Sequence, residues 1–249
     1  MNICILSGRY PATSFDSSIN HRLYADIYGY YYVHCNWPTL AKNPYHNKIY
    51  YVLKYIDLFD YIFWIDDDAF FFDFNVNISD YLPLGNEFLT ACKSPSFKEM
   101  KTYLSSGQFF IKCDKNGKRF LEDVLKTDLT VVREWWSKDL GYFTNGDQDS
   151  MVYQLLTNNS YQDSYKLFDY KKFNSRAENI IDGTDSHKPF ILHFTGKPEV
   201  KRRNYEKVQS MTGRKSHLVK PEICFKYSIR DLSKKSFVKR VSGRLRRYL

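Results

Sequence analysis

Three adjacent carboxylates, Asp66, Asp67 and Asp68, end the apolar run Tyr61-Ile62-Phe63-Trp64-Ile65, with Ala69 directly after them. A run of this kind reads as a fully buried strand, and open α/β sheets place their ligands beyond the carboxyl ends of such strands. Neighbouring acids repel one another, which costs stability unless a cation or solvent compensates. A divalent metal resolves the repulsion; the plain alternative is a solvated acidic turn. Carboxylate oxygens joined by an imidazole suit Mn²⁺ or Mg²⁺, and such an ion can bridge a protein to a diphosphate.

Two further groups could complete that chemistry. Asn145-Gly146-Asp147-Gln148-Asp149 precedes Met151, Val152, Leu155 and Leu156. Asp at such a place either caps a helix, meeting its free N–H groups and its dipole, or supplies acids and an amide to a site. His193-Phe194-Thr195-Gly196-Lys197-Pro198 follows another apolar run. A lone histidine is most often structural, but here Gly196 allows close backbone approach and Lys197 offers a point charge, so the three suit one diphosphate.

The elements that must position these groups follow from the spacing of apolar residues. Ile3-Cys4-Ile5-Leu6, closed by Ser7-Gly8, reads as a first buried strand, residues 20–28 as a helix and 30–35 as a second strand. Val52, Leu53, Tyr55, Ile56 and Phe59 fall at helical spacing and lead into the 61–65 strand. Strands are expected at 88–92, 108–112 and 190–194, and helices at 117–126 and 148–156, with no internal repeat. The alternation predicts an α/β fold for residues 1–220.

Composition bounds what such a chain can be. With 249 residues, 43% of them hydrophobic, and 21 Tyr and 19 Phe, the chain can bury a sizeable core. The five cysteines are scattered without a CxxC pair, as in a reduced, cytoplasmic protein. The apolar start is too short for a signal peptide, and no stretch approaches the roughly 18 apolar residues of a membrane span.

Net charge is +9, yet residues 201–249 hold 16 Lys/Arg against 3 Asp/Glu, so residues 1–200 are net acidic. Val238, Val241, Leu245 and Tyr248 recur at helical spacing among Lys239, Arg240, Arg244, Arg246 and Arg247. Residues 221–249 thus read as a basic amphipathic tail, and residues 228–249 either as a patch for an anionic membrane surface at the inner face of the plasma membrane or as a solvated helix or one packed on the domain. The acidic main body argues against a nucleic-acid partner. A metal-dependent phosphohydrolase or nuclease fits the clustered acids too, and a carbohydrate-binding module would fit the aromatic content but gives Asp66, Asp68 and His193 no joint role.

These motifs in this order resemble the GT-A glycosyltransferases over about residues 1–200. The closest likeness is to family 34, the fungal mannosyl/galactosyltransferases and plant xylosyltransferases, with a late segment like the bacterial family 8 galactosyltransferases. Asn20-His21-Arg22-Leu23-Tyr24-Ala25, Gly29-Tyr30, the Lys48 helix and Trp64 to Ala69 carry it, with Ser105-Ser106-Gly107 for the family's Asn-Ser-Gly and Asp147-Gln148-Asp149 for its Asp-Gln-Asp. The resemblance implies a Rossmann-like mixed sheet flanked by helices. It also implies Mn²⁺ or Mg²⁺ on Asp66, Asp68 and His193, and a UDP- or GDP-linked sugar donor.

By the same resemblance, Asp66, Asp67, Lys48, Ser106 and Gly107 would contact the donor. Gly196, Lys197 and the Ser7-Gly8-Arg9 turn would meet its phosphates, although family 8 places its lysine two residues further on. Gln148, Asp147 and Asp149 would be catalytic. Both families retain anomeric configuration, so the implied reaction is retaining transfer of a hexosyl or pentosyl unit to a glycan or lipid-linked hydroxyl, in capsule, other surface polysaccharide or lipopolysaccharide synthesis. Were the reaction inverting, Asp147 or Asp149 would be the base.

Overall fold

The apolar run Ile3–Gly8 forms β1, in which all six residues are buried. In this computed structural model, which describes residues 1–229 except 14, 16, 96–100, 184–187 and 215, it is the second strand from one edge of a six-stranded sheet. The chain continues through α1 (Ser18–Tyr28), β2 (Tyr31–Cys35), α2 (Asn47–Tyr55), β3 (Tyr61–Ile65), β4 (Ala69–Phe71), β5 (Leu89–Cys92) and β6 (Ser105–Lys112). There follow α3 (Lys115–Lys126), α4 (Leu129–Trp135), α5 (Asp147–Thr157), β7 (Tyr165–Phe168), β8 (Ser175–Arg176) and α6 (Glu178–Ile181). β9 (Ile191–His193), α7 (Pro198–Thr212) and α8 (Pro221–Lys226) complete the described chain.

The main sheet runs β2-β1-β3-β6-β5-β7. β1 pairs in parallel with β2 and β3, then β6 enters antiparallel between β3 and β5, so the parallel start becomes a mixed sheet. Strand periodicity divides the core in two. Leu6, Ile62, Trp64, Phe109 and Ile111 face one way, under α2, α3 and α5, while Ile5, Phe63, Ile65 and Phe110 face α1 and the second sheet.

That second sheet, β4-β9-β8, matters most for position, because β4 begins one residue after Asp68 and β9 ends at His193. Ala69 is the register partner of His193. Helix α1 pins it: Asn20 donates to Phe71 O (3.0 Å) and accepts from Phe71 N (2.8 Å), and the His21 ring bonds Ala69 O at 2.7 Å. The Asn20-His21 pair is thus a clamp between α1 and the strand that leaves the acidic turn.

Element boundaries differ from the sequence expectation where polar residues extend an apolar pattern. α2 starts at Asn47 and ends at Tyr55, with one further turn at 56–58, and β6 starts at Ser105, which places Ser106 and Gly107 inside a strand. α7 has Val208 as its one buried residue, so no apolar stripe announced it; Pro198 at its start and Gly213 in left-handed conformation at its end bound it instead. Ile223, Cys224 and Ile229 pack on the core. The basic helix expected around 238–248 lies outside the described residues. All five cysteines are free, and no helix among the described residues is long and apolar enough to cross a membrane.

Candidate active site

The strand order 2-1-3 reverses direction between β1 and β3, and such a switch point leaves a crevice at the strands' carboxyl ends. Gly8 and Arg9 leave β1 there, and the acidic turn leaves β3. At Gly8 (φ +148°) any Cβ would lie 1.9 Å from Cys35 O, so only glycine lets the chain turn past β2. The acidic turn is held from both sides, by Asp66 N donating to Gly107 O (2.8 Å) and Phe194 N donating to Asp68 O (3.0 Å).

The cleft above this point has two lobes. Gly8, Arg9, Asp67, Asp68, Gly196 and Lys201 line the first; Ser106, Gly107, Asp147, Gln148 and Arg176 line the second. Tyr45, Lys48, Asp66, Tyr142, Thr144, His193 and Thr195 line both. Of the residues expected from sequence, Ser7, Asp149 and Lys197 do not line the cleft. Ser7 is buried in β1, Asp149 is buried at the start of α5, and Lys197 is exposed at the N-cap of α7.

Where the lobes meet, Asp66, Asp68 and His193 each offer an atom, and those three atoms lie within 4.8 Å of one another. Each group is oriented by its neighbours. Trp64 Nε1 donates to Asp66 Oδ1 (2.7 Å) and the Lys48 ammonium sits 3.1 Å from the same oxygen, leaving Oδ2 toward His193 Nε2 at 4.0 Å. His193 Nε2 is 3.2 Å from Asp68 Oδ1, an oxygen buried without a hydrogen-bond donor. Its Nδ1 lies 3.0 Å from Asn174 Oδ1 and 3.1 Å from Arg176 Nη1. An Nδ1–H donating to Asn174 would turn the Nε2 lone pair toward the two carboxylates, the usual support of a ligating imidazole. Gly107 makes the room, since a Cβ there would stand 2.5 Å from His193 Cε1 and 3.2 Å from Asp66 Oδ2.

The charges agree with this geometry. Burial lowers the His193 pKa below the usual imidazole value, with Arg176 adding to the effect, which favours the neutral, ligating form. Asp68 resists the upward push of burial: the Lys201 ammonium on its Oδ2 helps hold its carboxyl far below the usual carboxylate range. Asp67 is pushed up to about 6 by burial and by Asp68, even though Arg9 Nη1 lies 3.4 Å away and the Thr13 hydroxyl donates to it at 2.7 Å. Burial would lower Lys48, but Asp147 (3.4 Å) and Asp66 outweigh it and raise its pKa. Arg176, buried among Asn174 and His193, is lowered to about 10 by burial. An oxygen, oxygen and imidazole set with one unsatisfied buried oxygen fits a hard divalent cation.

The second lobe is tied together by backbone and amide contacts. Ser106 N donates to Gln148 Oε1 (3.1 Å), and Lys48 Nζ donates to Ser106 O (3.2 Å), so β6, α5 and α2 are joined at one point. Asp149 turns away from the lobe: its Oδ2 accepts from Gly146 N (3.2 Å) and the Thr144 hydroxyl (2.9 Å), closing the start of α5. Sequence reasoning did not single out Lys201, Tyr45 or Tyr142, and it took Asn174 and Arg176 only as part of a 167–176 loop that shapes the pocket. A basic residue one turn into a helix after Gly-Lys-Pro could have pointed to Lys201; β8 is two residues long and carries no periodic signal.

No protein-family model and no curated protein sequence matches the chain. Solved structures do. A glycosyltransferase involved in glycosylation of the major capsid of PBCV-1 superposes with a TM-score of 0.58 at 14% identity, over 86% of this chain and all of that one. The glycosyltransferase GlyE of Streptococcus pneumoniae TIGR4 (TM-score 0.48, 13% identity) covers 91% of this chain, which spans 64% of it. The galactosyltransferase LgtC (0.45, 14%) covers 91% of this chain, which spans 99% of it. The last two superpose too loosely to carry an argument. The first shows that the chain has a GT-A-like glycosyltransferase fold, a mixed sheet flanked by helices.

Proposed function

We propose that the protein is a metal-dependent glycosyltransferase that moves a hexosyl or pentosyl unit from a UDP- or GDP-linked sugar to a hydroxyl of a glycan or lipid-linked acceptor. The observation that carries the proposal is the Asp66, Asp68 and His193 cluster at the meeting of two lobes, within a glycosyltransferase fold. Asp66, Asp68 and His193 would hold Mn²⁺ or Mg²⁺, which when bound supplies Lewis-acid stabilisation of a departing diphosphate. Arg9 and the backbone at Gly8 and Gly196 would face the phosphates, while Ser106, Gly107, Asp147 and Gln148 would surround the sugar. The protein's own part is then to orient the donor and to exclude water around it.

Retention is the stereochemistry we favour, in line with the likeness to families 34 and 8. An inverting reaction needs a general base, and the two acids best placed by sequence are engaged elsewhere. Asp149 closes the start of α5, and Asp147 faces the Lys48 ammonium. We assign the acceptor to surface polysaccharide or lipopolysaccharide synthesis on sequence grounds, because the basic residues of 228–249 would favour an anionic membrane surface.

A thermal melt with Mn²⁺ and a panel of nucleotide sugars tests the reading. A donor at a hundredfold excess over its Kd stabilises the fold by about 2.7 kcal/mol. The expected result is a metal-dependent shift for one donor that disappears in Asp68→Ala. Nucleotide hydrolysis that acceptor sugars fail to stimulate would instead favour a phosphohydrolase.

A further inference from the structure

Asp68 faces two demands. Its Oδ2 is in contact with the Lys201 ammonium, with Arg9 Nη1 3.9 Å away, while its other oxygen belongs to the cluster suited to a divalent cation. An ammonium held on a carboxylate repels a second cation arriving on that carboxylate, and the repulsion is stronger in a half-buried cleft than in water. Lys201 therefore occupies, electrostatically, part of the place a metal needs.

The charge of the whole cleft points the same way. Asp66, Asp67, Asp68 and Asp147 are its carboxylates, and Arg9, Lys48, Arg176 and Lys201 balance them. With His193 neutral, a divalent ion alone leaves two surplus positive charges, and a diphosphate removes them. The cation best able to move between the two is Lys201, which projects from the first turn of α7 on a flexible stem beside Gly8, Arg9 and Gly196. Lys197, one turn earlier, is exposed outside the cleft.

We propose that Lys201, not Lys197, is the exchangeable cation of this site: it holds Asp68 in the free protein, and moves its ammonium to the donor's diphosphate when metal and diphosphate bind together. This rests on the nucleotide-sugar reading above. The exchange makes Lys201 oppose metal binding on its own and support it once a diphosphate is present.

Isothermal titration of Mn²⁺, with UDP and GDP each absent or present, tests the exchange without any turnover. In Lys201→Met, Mn²⁺ alone should bind about tenfold tighter than in the unaltered protein, and the nucleotide in saturating Mn²⁺ about tenfold weaker, within the range of ordinary coupling between sites. Lys201→Gln should do the same, with melting curves confirming that each variant is folded, and Lys197→Met should change either affinity less than twofold. Unchanged or weaker binding of Mn²⁺ alone in both Lys201 variants overturns the exchange, as does a Lys197→Met that weakens the nucleotide as strongly as Lys201→Met. Failure of the unaltered protein to bind either nucleotide with Mn²⁺ removes the donor reading itself, and the exchange with it.

Discussion

In the lobe at the ends of β1 and β3, Asp67 and Asp68 face Arg9 and Lys201, long side chains free to find other partners. In the lobe under β6 and α5, polar groups are tied to one another and to the backbone: Gln148 Oε1 accepts from the Ser106 amide, Lys48 donates to Ser106 O, and His193 Nδ1 lies 3.0 Å from Asn174 Oδ1. One lobe can redistribute its charges as a ligand arrives; the other is already arranged before it does. Such a division suits a reaction in which charge shifts on a leaving diphosphate while a sugar must stay in one orientation.

Lys48 stands where the lobes join, and its loss is the most severe way to break the contrast. Lys48→Met would leave Asp66 and Asp147 facing each other without their shared cation, which should lower the unfolding free energy by about 3 kcal/mol in a urea titration. A loss under 1 kcal/mol would mean that solvent reaches these carboxylates and that the second lobe is not rigid. Asp68→Ala acts on the adaptable side and should weaken Mn²⁺ binding in the presence of nucleotide about a hundredfold.

Gly107→Ala sharpens the comparison from the rigid side. The added methyl meets His193 Cε1 at 2.5 Å, so a folded protein with Mn²⁺ affinity reduced about tenfold or more is expected, read by titration alongside a melt. Unchanged affinity would show that His193 can shift freely. Asp149→Ala should give the smallest effect, about 1 kcal/mol of stability from the lost cap, with donor affinity intact. A drop in donor affinity without a drop in stability would place Asp149 in the second lobe.

The rigid frame was largely legible before the structure. β1 and β3 are apolar runs whose neighbours read as helices, and the acids at the end of β3 stand out as a candidate ligand site by type and place alone. What escaped depended on long-range contact. Arg176 reaches His193 from a two-residue strand, too short for any periodic pattern, and Asn174 from the residue before it. Lys201 rides on α7, whose polar surface hides its helical period, so the lysine next to Gly196 drew notice instead. Asp149 matched a motif by identity while its side chain turned to the start of its own helix, the competing use that an Asp in the first turn always has.

The account turns on one metal ion joining the two lobes. Anomalous diffraction from crystals grown with Mn²⁺ and the diphosphate that binds best would locate that ion directly. A single peak between Asp66, Asp68 and His193, with the diphosphate over Gly8, Arg9 and Gly196, is the expected result. A diphosphate bound in the cleft with no peak at those three residues, or a peak held by other side chains, would contradict it.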